Sequence, residues 1–202
     1  MNAWIETYTG RQFYYIKPRP DDVCLEDVAY ALSNICRYTG HSSIFYSVAE
    51  HSCLCADEAE TRGYPDSVAL ACLLHDSAEA YVGDVNSPLK SLLHGFKDIK
   101  RAAHNACAAA LMPGIVISPE QRLIVKDIDI QMLRYEATVL MPSKGYTWNW
   151  PDNAADIVSV GIMRLTPEQA RGYFIAKYEQ LLGRCGASTV AQQPDAGRAT
   201  RI

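Results

Sequence analysis

His75 and Asp76 stand side by side at the end of the apolar run VALACLL, with Glu79 three residues after the aspartate and Asp84 five after that. An ordinary core helix does not carry so many ionisable groups beside its buried face, because each costs free energy unless it is paired or holds a metal. Helical spacing turns His51 inward as well, among Val48, Leu54, Cys55 and Ala59. Asp129 lies inside a later helical stretch, with Asp127 as a rival two residues away. Two imidazoles and two carboxylates on three helices suit a borderline or moderately hard divalent ion. Such an ion lowers the pKa of a water and neutralises charge on a phosphate. Adjacent residues diverge on a helix, so His75 and Asp76 reach one ion only from the edge of the buried face.

The elements that must hold these residues follow from apolar periodicity and its breakers. Residues 4–16 are aromatic-rich around Gly10-Arg11 and predict a short hairpin or an extended arm. Asp21-Asp22 predict the start of a first helix, with Gly40 closing the element. A second helix is expected from about Ser43 to Thr61, and a third from Asp66 or Ser67 to about Ala80, where Val68, Cys72, His75 and Glu79 share a stripe. Gly83 and Pro88 bound a loop containing Asp84. Helices are expected over roughly Phe96 to Leu111, from Ser118-Pro119 to an end at Pro142 to Gly145, over Asn153–Leu165 and from Pro167 to about Leu182. Ser118-Pro119-Glu120 and Thr166-Pro167-Glu168 are strong starts, a cap residue followed by proline in the first turn. The polar stretch from 186 to 202 reads as a disordered tail. An all-α single domain over 1–185 is the expected fold class.

Composition narrows the function classes. The 202 residues are 49% apolar, enough for one core, and the net charge of -4 argues against a nucleic-acid surface. No stretch approaches the roughly 20 apolar residues of a membrane span, and the N-terminus lacks the pattern of a signal peptide, so a soluble cytoplasmic protein is expected. The seven cysteines, among them the Cys53/Cys55 pair, read as small buried thiols. Lys90, Lys97 and Arg101 follow the candidate site and could meet a phosphate chain or simply face solvent. Trp148 and Trp150 could line a pocket mouth or pack the last helices. His41, His94 and His104 read as surface, loop or satisfied polar positions.

The stretches CRYTGHSSIFYSVAEHSCL, ACLLHDSAEAYVGDVNSPLK and VKDIDIQMLRYEA occur in this order and span most of residues 24–140. Together they resemble the HD-domain phosphohydrolases, and within them the bacterial 5′-deoxynucleotidase branch and its bacteriophage relatives. The resemblance implies a compact HD-domain helical bundle with a short N-terminal arm. It implies His51, His75, Asp76 and Asp129 as ligands of one divalent transition metal ion (zinc, cobalt, manganese or iron), Asp129 standing seven residues before Glu136. It gives Glu79 the role of handling the attacking water or the leaving oxygen, and Asp84 that of a sugar contact or water positioner. Arg37 and His41 are candidate phosphate contacts, with Arg37 also counted among the catalytic groups. Lys90 is a further substrate contact, and Ile16, Asn34 and Pro88 candidates to pack on the base. The implied reaction is metal-dependent hydrolysis of dATP to deoxyadenosine and triphosphate. The alternatives are phosphate release from deoxynucleoside monophosphates, or a nucleotide-sensing module without turnover. The implied partner is a deoxynucleotide, and a homo-oligomer is expected.

Overall fold

The computed structural model describes residues 3–150 and 158–186, and these are predominantly helical. The N-terminal hairpin is present: β1 (Trp4–Glu6) pairs antiparallel with β2 (Gln12–Tyr14). Gly10 turns it at a φ of 81°, a conformation that costs glycine nothing. The hairpin is held down by its neighbours. Asp27 accepts from the Thr9 backbone N–H at 2.7 Å, and the buried Phe13 ring stacks on Tyr81 at 3.8 Å. The Tyr15 hydroxyl donates to the Tyr81 carbonyl at 2.9 Å.

Eight α-helices follow among the described residues: α1 (Leu25–Asn34), α2 (Val48–Thr61), α3 (Asp66–Leu74), α4 (Glu79–Val82), α5 (Ser87–Leu92), α6 (Phe96–Leu111), α7 (Pro119–Leu140) and α8 (Pro167–Arg184). The proline-marked starts of α7 and α8 behave as their composition predicts. Ser118 and Thr166 each accept from the N–H of a glutamine three residues on, and that glutamine's side chain returns to the cap N–H.

Other boundaries differ from expectation, each for a physical reason. Asp21-Asp22 belong to a short 3-10 turn, Pro20–Asp22, and the first helix starts only at Leu25. That helix ends at Asn34, and Gly40 closes a separate turn, Arg37–Gly40. The second helix begins at Val48 because residues 43–47 are used otherwise: Cys36 and Ser47 form a β-bridge, and the Ser47 hydroxyl caps α2 by accepting from the Glu50 N–H. The third helix stops at Leu74, and His75 to Ala78 form a turn before α4. The segment after Gly83 is not all loop. Asn86 caps α5 by accepting from the Leu89 N–H, with Pro88 tolerated in the first turn.

Residues 158–165 form no helix, although their apolar character predicts one. Two buried carboxylates of α2 take their backbone donors instead. Glu50 accepts from the N–H groups of Met163, Arg164 and Leu165 at 2.7, 2.9 and 3.0 Å, and Glu58 from that of Ser159 at 2.6 Å. Residues 153–157 of that expected helix, and 187–202 of the expected tail, lie outside the described residues.

The core is organised around α2, which is buried on nearly every face. Such a helix belongs at the centre of a domain. The apolar α3 packs along it, α8 lies against α1, α2 and α3, and α7 crosses α2 and α3. Leu54, Leu73, Met132 and Leu181 fill these contacts, each contributing about 2 kcal/mol by removal from water. Among the described residues no helix is long and apolar enough to cross a membrane.

Candidate metal centre

The crossing of α2, α3 and α7 brings the four sequence-predicted ligands together. His51 is fully buried in the first turn of α2, His75 is the residue after α3, Asp76 follows it, and Asp129 projects from α7. His51 Nε2 lies 3.3 Å from His75 Nε2 and 3.4 Å from Asp129 Oδ1. His75 Nε2 lies 3.2 Å from Asp76 Oδ2 and 3.6 Å from Asp129 Oδ1, while His51 to Asp76 is wider at 4.0 Å. Two nitrogens bound tetrahedrally to one ion at its usual ligand distance stand roughly 3.3 Å apart. The spacing of the two imidazole nitrogens therefore matches that of two ligands to a shared ion.

The opposite ring nitrogens explain how both imidazoles are aimed. His51 Nδ1 faces the Glu136 carboxylate, and His75 Nδ1 lies 2.6 Å from the Cys72 carbonyl oxygen. A carbonyl oxygen, like an ionised carboxylate, can only accept, so each Nδ1 carries the proton. Both Nε2 atoms are then turned toward each other and toward two carboxylates. This outer support is how metal-binding histidines are commonly oriented.

The charges at the centre are strongly coupled. Burial by itself would push both carboxyls up, yet His75 pulls Asp76, and His51 and His75 pull Asp129, well below the usual carboxylate range. Burial would lower His75, but the Asp76 and Asp129 charges outweigh it and hold the imidazole well above its ordinary value.

His51, Cys55 and His75 also offer donor atoms within 4.8 Å of one another and could hold a metal ion. Cys55 Sγ lies 3.6 Å from His51 Nε2 and 3.9 Å from its Nδ1. Near-equal distances to both nitrogens put the sulfur on the flank of the ring, whereas Asp129 meets Nε2 alone. All seven cysteines are free thiols, as their composition suggests, and five are buried.

Glu79 opens α4, buried beside this centre. Its Oε1 accepts from Lys100 Nζ at 2.6 Å and from Lys90 Nζ at 3.4 Å. Its Oε2 has no hydrogen-bond partner among the described residues. Burial, with the Asp76 charge added, pushes the Glu79 carboxyl up to about 7 against the opposing pull of Lys100, and Asp84 adds to the rise. Lys90 thus touches the site. Lys97 and Arg101 are exposed, and Arg101 pairs with Asp98 at 2.7 Å.

Sequence reasoning missed Lys100, which also reaches Asp76 Oδ1 at 3.3 Å. A usable signal was its alignment on α6 with the buried Ala103 and Cys107. Glu136 was noted only as a spacing marker. It is fully buried and collects His51, the hydroxyls of Tyr38 (2.7 Å) and Tyr46 (2.8 Å), and the guanidinium of Arg37 (3.1 Å). Burial would raise its pKa, but Arg37 and His51 hold it down to about 2. Two helical turns separate Glu136 from Asp129, which places both on one face of α7.

Arg37, a candidate phosphate contact by resemblance, is buried. Its guanidinium is committed to Glu136, with Nη1 3.8 Å from Asp76 Oδ2. His41, Ile16, Asn34 and Pro88 are exposed, and among the described residues none of them hydrogen-bonds or ion-pairs with the cluster. Asp127 accepts from Gln131 at 2.6 Å, away from the imidazoles that Asp129 faces. The Trp148 and Trp150 rings lie 5.4 Å apart, Trp148 is 6.1 Å from Tyr38, and the guanidinium of Arg134 stands over Trp150. The pair thus adjoins Tyr38, whose hydroxyl donates to Glu136.

Two curated relatives are similar over nearly their whole lengths. The uncharacterized protein YfdR of Escherichia coli K12 is 34% identical over 179 residues, covering 89% of this chain and 96% of its own. An uncharacterized protein of Rhodobacter capsulatus is 29% identical over 191 residues, with the same coverage of 89% and 96%. No protein-family model matches the chain.

Proposed function

We propose that this chain, which belongs to the family of Escherichia coli YfdR, is an HD-type, metal-dependent phosphohydrolase of deoxynucleotides. The observation that carries the reading is the convergence of His51 Nε2, His75 Nε2, Asp76 Oδ2 and Asp129 Oδ1, with both histidines oriented from behind. The donor set of two nitrogens and two carboxylate oxygens fits a borderline transition ion such as zinc, cobalt, manganese or iron. A bound ion would supply electrostatic polarisation of a phosphoryl oxygen and a lowered pKa for an attacking water.

The chain's own residues supply the rest. Glu79 stands next to Asp76 with one carboxylate oxygen unpaired. A carboxyl of pKa about 7 can take a proton from water and return it to a leaving oxygen near neutral pH. Lys100 and Lys90 balance the negative charge beside it. In the reaction we favour, water oxygen bonds to the α-phosphorus of dATP and the bond from phosphorus to the 5′ oxygen breaks. The 5′ oxygen leaves with a proton as deoxyadenosine, and triphosphate is the second product. The adenine preference rests on the likeness of the segment CRYTGHSSIFYSVAEHS to the bacteriophage branch.

The test is a panel of deoxynucleoside mono-, di- and triphosphates, with products resolved by ion-exchange chromatography, with and without chelator. The expected result is chelator-sensitive release of deoxyadenosine and triphosphate from dATP. Glu79→Gln is expected to lower turnover by roughly 10²–10⁴-fold while metal content stays the same. Orthophosphate release from monophosphates would redirect the reading to a 5′-deoxynucleotidase. Binding of nucleotide with no turnover under any metal would leave a sensing module.

A further inference from the structure

A cavity of about 470 Å³ opens between α5 and α6, in the size range of ligand sites. Lys90, Phe96, Lys97, Lys100, Arg101 and His104 line it, and no carboxylate does. Four of these are permanent cations. On α6 the residues Lys97, Lys100, Arg101 and His104 follow the three-four spacing of a single helix face. Like charges stacked this way destabilise a helix. Asp98 offsets only Arg101.

The cavity and the metal centre share two residues. Lys100 Nζ touches both Asp76 Oδ1 and Glu79 Oε1, and Lys90 Nζ touches Glu79. An anion engaged beside Glu79 can therefore extend directly along the cationic face of α6. Clustered cations beside an uncharged wall such as Phe96 fit a short chain of phosphates, whose charges lie at regular intervals.

We propose that this cavity is a polyphosphate-binding site, in which Lys97 and Arg101 hold the phosphates beyond the one attacked at the metal centre. The inference rests on the phosphohydrolase reading for its place in catalysis, and it makes chain length, triphosphate over monophosphate, a property of α6. Lys97 and Arg101 are exposed and lie outside the hydrogen bonds of the metal centre.

The experiment compares the metal-loaded full-length protein with Lys97→Ala/Arg101→Ala and the milder Lys97→Gln/Arg101→Gln, after thermal melts establish that both fold. Calorimetry with inorganic tripolyphosphate is expected to show binding to the parent, weakened roughly tenfold or more in both variants and by added salt. Orthophosphate binding is expected to be unchanged. In kinetics, KM for a deoxynucleoside triphosphate is expected to rise by a similar factor, with kcat and the monophosphate KM unaltered. Equal tripolyphosphate affinity in parent and variants overturns the site. Parallel loss for mono- and triphosphate substrates overturns it too. A protein that hydrolyses no nucleotide but binds tripolyphosphate through Lys97 and Arg101 keeps the site and sinks the hydrolase reading instead.

Discussion

Glu136 on α7 accepts a hydrogen bond from Nδ1–H of His51 on α2, and the rest of the buried polar network is built around that bond. The same carboxylate takes the hydroxyls of Tyr38 and Tyr46 and the guanidinium of Arg37. Four donors on one buried carboxylate fix its position. The carboxylate then fixes the tautomer of His51, leaving Nε2 to face His75 and Asp129.

Removing Glu136 should therefore act on metal affinity and on stability together. Glu136→Gln is expected to weaken ion binding roughly 10–100-fold, read by competition with a chromogenic chelator. Glu136→Ala, which strands Arg37 in the interior, is expected to cost a further ~3–5 kcal/mol in urea unfolding. An unchanged ion affinity in Glu136→Gln would show that His51 does not need this partner.

Asp129 and Asp127 lie two residues apart on α7 and should separate cleanly. Asp129 faces both imidazoles, and Asp127 pairs with Gln131. Asp129→Asn is expected to lose most bound metal in elemental analysis of the purified protein. Asp127→Asn is expected to retain it. The reverse pattern would reassign the ligand.

Glu50 holds the segment 163–165 through three backbone N–H groups. Glu50→Ala leaves these donors unpaired beside the core and is expected to destabilise the protein by about 1–3 kcal/mol. Amide exchange at Met163, Arg164 and Leu165 should quicken more than exchange in α2. Unaltered protection at those three amides would refute this role of Glu50.

Glu60 on α2 gives a pH dependence away from the metal centre. Burial would raise its carboxyl, but Lys177 (2.7 Å) and Arg184 (2.6 Å) hold it below its ordinary value. A lowered folded-state pKa stabilises above the unfolded value of 4.5 and loses that contribution as pH falls through the folded one. The carboxylate is partly open to water and so screened, which keeps the effect to at most about 1 kcal/mol. Glu60→Gln should melt below the parent at pH 7, and the two should converge toward pH 3. A gap of the same size at both pH values would rule out the linkage.

Much of the local structure was legible in the residues themselves. Ser118-Pro119 and Thr166-Pro167 announce helix starts because capping and proline geometry act within one turn. Gly10 marks the hairpin for the same reason. The buried polar cluster was legible too, since His75-Asp76 after an apolar run is costly without a partner, and the two do meet buried partners. What failed were segments whose backbone donors are taken by distant side chains. Residues 158–165 read as helix, and only Glu50 and Glu58, more than a hundred residues earlier in the chain, draw them straight.

Sequence alone determined which residues can carry charge into the interior and which local turns begin and end the helices, because both depend on neighbours within a few positions. The tertiary structure decided which charges meet. His51 finds Glu136 across 85 residues, and Lys100 finds Glu79 across 21. Periodicity says only that a side chain faces inward. Its partner is set by how α2, α3, α6 and α7 cross, and buried ion pairs depend on that geometry because distance and exclusion of water set their strength.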